Sequence, residues 1–220
     1  MSRQLPPWNE ERENALAMIR KRNWKALENM LKSSEENPKN GAIFALWQRV
    51  QEKKDITHAI PALFSMLKED SGMVAKVIDY HYINKKDKKK FAEMLDDKEI
   101  NKPIISALWT ISLEFNEGLS FIEDLLVAKL KGYDHAIRSY AATDLAYHYS
   151  NRKKYDKLIE FLKSNDREIR ESAEVVLDGD AQFKDKKTAQ KILEAIEKAG
   201  INKKNPEIKE IIRKCSENKG

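Results

Sequence analysis

The stretch DHAIRSYAATDL at residues 134–145 returns as DREIRESAEVVL at residues 166–177, and this echo decides the fold. At the fixed offset between them, five positions keep the same residue: Asp, Ile, Arg, Ala and Leu. A sequence that repeats itself with a period of 20–50 residues is typical of arrays in which each repeat is one supersecondary unit stacked on the next. The echo therefore predicts a helical repeat protein.

The composition agrees with an all-α fold. The chain has 220 residues, of which 41 % are apolar and 35 % charged, and its 41 basic and 36 acidic residues leave a formal net charge of +5. Helix-forming residues dominate, while glycine and proline are few. The single cysteine, Cys215, excludes a disulfide framework and fits a reducing compartment. Because we find neither a signal peptide nor an apolar stretch of membrane-spanning length, we expect a cytoplasmic protein without membrane contact.

Two kinds of helix alternate along the chain. The first kind carries a leucine-rich stripe, as in residues 158–162, and the second kind has alanine in a dense apolar face, as in residues 141–146. A further helix over residues 9–21 is placed to cap the first pair, and no long linker interrupts residues 1–220, so we predict a single domain. The predicted helix pairs are roughly 24–51, 56–84, 87–116, 119–150, 154–180 and 185–217.

Capping residues mark where the second-type helices begin. Asp134 and Asp166 are placed to accept hydrogen bonds from the first turn of their helices. Asn37-Pro38, Asn101-Lys102-Pro103 and Asn205-Pro206 each combine a capping asparagine with a proline suited to the first turn. We therefore expect helices to open at all five places.

The pattern resembles the HEAT repeat, whose second helix reads Asp-x-x-(Val/Ile)-Arg-x-x-Ala. The match is specific over about residues 119–180 and weaker over the rest of 24–217. This resemblance implies an armadillo-like, right-handed α-solenoid of about six helix pairs, with an extra N-terminal capping helix and the second-type helices on the concave side. It also implies that a structural ladder between successive turns is formed by Asp134, Arg138, Asp166 and Arg170.

A second repeated run is the main candidate for function. YHYINKK at residues 80–86 returns as YHYSNRK at residues 147–153. Aromatic side chains beside cations could stack on bases or hold a peptide. The structural alternative, which we favour, is that the tyrosines complete an apolar helix face, the asparagine helps the helix to stop, and the basic residues complement its dipole. In that case the two histidines lie at polar helix edges.

Residues on the second-type helices form the candidate partner-binding set. Trp47 and Trp109 occupy matching positions where core packing is the default, whereas Trp8 and Trp24 could be packed or exposed. If a partner lies along the concave groove, we expect these residues to contact it: Trp47, Arg49, Tyr80, His81, Tyr147, His148 and Arg170.

Nucleic-acid binding is the alternative interpretation. Some HEAT-like proteins are alkylpurine DNA glycosylases that hold damaged DNA with Trp, Asp and Arg, and this chain has Trp109, Arg138, Asp144 and Arg170 on second-type helices. No local motif matches that family, however, and a net charge of +5 is small for a duplex-binding protein. The chain also lacks a glycine-rich phosphate loop, a His-Glu-x-x-His motif and a recognisable nucleophile.

These observations together predict a non-enzymatic scaffold or adaptor. We expect no catalytic residues, no cofactor and no metal site, and we expect another protein to bind on the concave face. The sequence leaves the oligomeric state and the identity of the partner open.

Overall fold

A computed structural model describes residues 6, 8–67, 72–114 and 118–217, and of residues 109–110 and 112–114 it describes the backbone alone. Throughout these ranges the secondary structure consists of α-helices and two short 3-10 turns, without a strand. The prediction of an all-α fold is confirmed. No helix in the described part of the chain is both long enough and apolar enough to cross a membrane.

The chain divides into two compact units, Met1–Ile111 and Ser112–Gly220, and each is described by itself. The single domain over residues 1–220 stays a prediction. The first unit contains α1 (Asn9–Arg20), α2 (Trp24–Leu31), α3 (Glu36–Gln51), a 3-10 turn (Thr57–Ala59), α4 (Ile60–Met66), α5 (Gly72–Lys85), α6 (Lys88–Asp96) and the greater part of α7 (Asn101–Glu114). The second unit contains a 3-10 turn (Gly118–Phe121), α8 (Glu123–Lys129), α9 (His135–Asn151), α10 (Tyr155–Leu162), α11 (Arg167–Phe183), α12 (Lys186–Lys198) and α13 (Pro206–Glu217).

Helices of the same kind stack in rows within each unit. In the first unit the second-type helices α3 and α5 pack on each other, and α1 packs on the other side of α3. In the second unit α9, α11 and α13 form one row of second-type helices, while the first-type helices α10 and α12 pack together. Each unit is therefore a stack of helix pairs, with α1 in the position expected for a capping helix.

Alanine and glycine permit the close approach of second-type helices. Ala141, Ala142 and Ala173 are completely buried. Gly41 on α3 faces the backbone of α1, where a Cβ atom would lie 2.6 Å from the Cβ of Glu11. Small side chains at these positions are required by the packing rather than by local conformation.

Most of the predicted helix caps are present. The Asp134 carboxylate accepts a hydrogen bond from the Ile137 amide at 3.1 Å, and Asp166 and Asn205 cap α11 and α13 in the same way. The prediction for Asn37 is wrong, because α3 already begins at Glu36 and Asn37 lies inside its first turn. Asn101 is the first residue of α7.

Candidate functional site

The repeated run at residues 80–86 and 147–153 forms a helix end of one type. In each copy a lysine, Lys86 or Lys153, has a left-handed backbone with φ of 52° or 56°. The following residue donates its amide to a carbonyl five residues earlier: Lys154 N lies 2.8 Å from Tyr149 O. This is a Schellman-type stop in which lysine takes the place usually held by glycine. The same left-handed conformation closes α1 and α3 at Arg22 and Lys53.

Asn84 stabilises the preceding helix as well as its own position. Its side-chain amide donates to the Val50 carbonyl at 2.7 Å, so it satisfies a carbonyl in the last turn of α3. The expectation that this asparagine acts on the end of its own helix is therefore corrected. The residue links two successive second-type helices in the first unit, and this contact spans 34 residues of sequence.

The two histidines of the run are buried rather than placed at polar helix edges, so that expectation is wrong. His81 and His148 are each only 3 % exposed. Burial lowers the pKa of His81 to about 4, with the Lys85 ammonium contributing in the same direction. Burial also lowers the pKa of His148, although its Nε2 lies 3.5 Å from the Glu123 carboxylate. Both rings are neutral packing groups at neutral pH.

The candidate residues of the first unit gather around one tryptophan. Trp47 is half-buried and meets the Tyr80 ring edge-on, with 5.0 Å between ring centroids. The Lys76 ammonium lies 5.0 Å from the centre of the Trp47 ring, which is a cation–π distance. Arg49 instead pairs with Glu52 at 3.2 Å. Of this set, Trp47 offers an aromatic surface, whereas Tyr80 and His81 are buried.

The other tryptophans are held by ring contacts. Trp8 stacks on Phe44 with 4.2 Å between centroids, and Trp24 stacks on His58 at 5.1 Å. These contacts fix the start of α1 and of α2 against later parts of the first unit. The Trp109 side chain lies outside the described residues.

Two arginines of the second unit hold the turns before their own helices. Arg138 donates to the Gly132 carbonyl and Arg170 to the Ser164 carbonyl, each at 2.8 Å. The Arg138 Nε atom also lies 3.0 Å from a carboxylate oxygen of Asp166, which belongs to the next helix pair. The guanidinium groups are thus engaged with the backbone and, for Arg138, with the neighbouring repeat.

Asp144 is not placed to contact nucleic acid. Its side chain is 1 % exposed, and burial raises the pKa of this carboxyl well above its ordinary value. Neither carboxyl oxygen has a hydrogen-bond partner among the residues that the structure describes. A glycosylase needs an acidic group that reaches the damaged nucleotide. The burial of Asp144 removes the acid on which the glycosylase interpretation depends.

Sequence reasoning missed a buried polar cluster in the second unit. Ser150 and Tyr155 donate to the same oxygen of Asp180 at 2.6 and 3.1 Å, and the Lys184 ammonium lies 2.7 Å from its other oxygen. Lys184 also donates to Ser150 at 2.8 Å. This serine–lysine contact is not a nucleophilic pair, because Ser150 is buried and the lysine is neutralised by Asp180. Nothing in the local pattern marks the cluster, since its members come from three helix segments.

The exposed apolar side chains of the described residues are concentrated in the second unit. All five large hydrophobic residues that are exposed there follow residue 126: Val127, Tyr133, Tyr140, Val175 and Phe183. Four of them belong to α9, α11 or the turn that precedes α9. Tyr140 and Val175 are 42 % and 63 % exposed, and the helices that carry them touch where Thr143 and Ser172 approach to 3.3 Å.

This surface is acidic rather than basic. Within α11 five acidic residues face two basic ones, whereas the whole chain has a net charge of +5. Elsewhere in the described ranges, no group of three or more His, Cys, Asp or Glu side chains could hold a metal ion. The second unit therefore presents a mixed apolar and acidic surface on α9 and α11.

Comparisons with known proteins give structural similarity only. No protein-family model and no curated protein sequence matches the chain. Two crystal structures of engineered proteins from the Northeast Structural Genomics Consortium are similar at 19 % and 18 % identity, with TM-scores of 0.40 and 0.41. The alignments cover 94 % and 89 % of this chain, and 60 % and 96 % of those proteins.

A designed armadillo repeat protein, solved in complex with the peptide (KR)4, is similar at 19 % identity and a TM-score of 0.41. That alignment covers 89 % of this chain and 98 % of the designed protein. Similarities at this level of identity and TM-score say nothing about function.

Proposed function

We propose that the protein is a non-enzymatic scaffold that binds another protein through the exposed face of its second-type helices. The observation that carries this proposal is the exposure of Tyr140 and Val175 on the neighbouring helices α9 and α11. Single exposed apolar residues are common on soluble proteins, but a group of them on adjacent elements marks an interaction surface. Aromatic residues at such a surface supply large contact areas at low entropic cost.

A HEAT-like repeat is the family that we propose for this fold. The Asp-x-x-Ile-Arg-x-x-Ala pattern at residues 134–141 and 166–173 supports it, and so does the stacking of α9 on α11. Stacked repeats use one extended surface for partners, because each repeat contacts only its neighbours and leaves a continuous face free. For this chain we place the binding face on the side of Tyr140 and Val175.

A protein partner fits this surface better than a nucleic acid does. Nucleic-acid binding requires cations gathered where the phosphates lie. The carboxylates of α11 outnumber its basic residues, and the Arg170 guanidinium donates to the Ser164 carbonyl. The acidic excess repels phosphate while it tolerates apolar and basic side chains of a protein.

Site-specific photo-crosslinking tests the proposal. A photo-reactive phenylalanine analogue replaces Val175 or Tyr140 in separate variants, and the matched control carries it at Asp156, which is exposed on the first-type helix α10. In cells or native lysate we expect one discrete crosslinked protein from positions 175 and 140 and none from position 156. Equal crosslinking at all three positions, or none at any, would contradict binding by this face.

A further inference from the structure

Gly179 lies inside α11 without a structural reason in the second unit. A Cβ atom at this position would meet no heavy atom within 4 Å. Its backbone is helical, so left-handed conformation does not require glycine either. Glycine in a helix interior is less favourable than alanine because it loses more conformational freedom on folding. Gly41, by contrast, is required by the backbone of α1.

The gap at Gly179 is flanked by two exposed apolar side chains. Val175, Gly179 and Phe183 follow each other at intervals of four residues and therefore share one side of α11. Val175 is 63 % and Phe183 81 % exposed. Since a helix rises about 1.5 Å per residue, these two side chains stand about 12 Å apart along the axis. The missing side chain between them leaves a notch with apolar walls, which we call the Gly179 notch.

An acidic strip runs beside this notch on the same helix. Glu171, Glu174 and Asp178 are spaced three and four residues apart and form a neighbouring line on α11. Arg167 pairs with Glu171 at 2.6 Å and Lys214 pairs with Asp178 at 2.5 Å.

Glu174 is the member of this strip that lacks a partner. Its carboxylate has no cation partner among the described residues. Burial, followed by the nearby carboxylates of Glu207, Glu171 and Asp178, raises the pKa of Glu174. The strip therefore contains one carboxylate whose surroundings are short of positive charge.

We infer that the Gly179 notch and the acidic strip form a docking site for a basic, apolar segment of a partner protein. An apolar side chain of the segment fills the space between Val175 and Phe183, and a lysine or arginine beside it pairs with Glu174. The inference rests on the proposed function and specifies the chemistry of the partner. Charge complementarity selects a cationic segment, and the absent side chain at Gly179 allows it to approach the helix closely.

The expected recognition is measured with peptides that separate charge from apolar character. Fluorescein-labelled (Lys-Leu-Ser)4, (Glu-Leu-Ser)4 and (Lys-Ser-Ser)4 are titrated with the full chain and followed by fluorescence anisotropy. We expect the Lys-Leu-Ser peptide to bind at least tenfold more tightly than either of the others. Its affinity should fall as salt is raised, because the pairing with Glu174 is exposed to screening.

Variants then locate the binding to the notch. Gly179→Gln fills the gap with a good helix former and should raise the Kd of the Lys-Leu-Ser peptide at least tenfold without lowering the melting temperature. Glu174→Gln should raise that Kd severalfold and weaken its salt dependence. The matched control is Gly72→Gln, because Gly72 also has open space around a built Cβ and lies in the first unit. Its Kd should equal that of the unmodified protein.

Other outcomes overturn the inference and separate it from the proposed function. If the three peptides bind equally, or if Gly179→Gln leaves the Kd unchanged, the docking site is refuted. A Gly179→Gln change that instead converts a dimer to a monomer in sedimentation would show that a second copy occupies the notch, and would also refute it. If crosslinking at position 175 still captures a protein in either case, the scaffold proposal stands while the basic segment does not.

Discussion

Gly41 of α3 and Glu11 of α1 meet so closely that a Cβ atom on the glycine would lie 2.6 Å from the Cβ of the glutamate. The built atom would also lie 2.7 and 2.8 Å from backbone atoms of Glu11 and Arg12. Backbone atoms cannot rotate away as the end of a flexible side chain can. The docking of α1 on the first unit therefore depends on the absence of a side chain at residue 41.

Gly41→Ala should destabilise the first unit. Relief of the clash requires α1 to move away from α3, which costs contacts of both helices, and we expect a loss of about 1–3 kcal/mol in the free energy of unfolding. Chemical denaturation followed by circular dichroism measures it. A variant as stable as the unmodified protein would show that α1 tolerates displacement at no cost.

Gly179→Ala should do the opposite. Because the built Cβ meets nothing within 4 Å, the substitution adds helix propensity without a clash. The free energy of unfolding should rise by about 0.5–1 kcal/mol. The same denaturation experiment checks this, and the pair of glycine variants should shift the unfolding midpoint in opposite directions. A destabilised Gly179→Ala protein would mean that α11 requires glycine for its own packing.

Asp180→Asn should destabilise the second unit. The substitution leaves the Lys184 ammonium without its carboxylate and weakens the bonds from Ser150 and Tyr155. A loss of about 1–3 kcal/mol is expected for buried polar groups deprived of a partner. Asp178→Asn, two residues away, is the matched control: its ion pair with Lys214 is partly exposed and should be worth about 0–1 kcal/mol. Equal losses from both changes would refute a special role for the buried cluster.

His81 should make stability fall in mild acid. Because burial lowers its pKa to about 4 in the folded protein, protonation favours the unfolded chain, where the pKa is near 6.5. The histidine's contribution is therefore complete above pH 6.5 and is lost as the pH falls toward about 4. The slope for one such group is at most about 1.4 kcal/mol per pH unit. His81→Gln should flatten the measured profile between pH 6.5 and 4, whereas changing the exposed His58 to Gln should leave it unaltered.

Asp144 should affect stability in the other direction of pH. Burial raises its pKa, so the neutral carboxyl is favoured in the folded state and stability is lost as the pH rises through the folded pKa. Asp144→Asn should therefore stabilise the protein at neutral and higher pH. The gain should shrink below the unfolded pKa of about 3.9, where the carboxyl is protonated in both states. Unfolding titrations at pH 7.5 and pH 3.5 give both values; destabilisation at both would show that the carboxyl has a necessary partner.

Local sequence was sufficient to predict the helices and many of their ends. The i, i+3, i+4 stripes and the capping aspartates Asp134 and Asp166 act within one or two turns, and the structure has helices where these signals occur. Asn37 misled the prediction, because the helix extends past it into Glu36. A cap is only one contribution to where a helix begins, and neighbouring residues can outweigh it.

The candidate site was less predictable. The repeated Tyr-His-Tyr run was correctly read as a helix end, yet the burial of His81 and His148 was not foreseen. Burial depends on which helices cover a residue, and the alternation of residue types along one helix does not contain that information. The exposure of Val175 and Phe183 on α11 was likewise visible only once the neighbours of that helix were placed.

What the sequence determined by itself is the helical repeat: the 134–145 and 166–177 echo, the paired helices and the caps, all of which depend on interactions between near neighbours. Tertiary structure alone decided which of two similar helix-interior glycines is required, since Gly41 meets α1 and Gly179 meets open space. It also decided that Asp180 is buried with Ser150 while Glu174 is left without a cation partner among the described residues. These properties belong to contacts between residues far apart in sequence, which periodicity cannot encode.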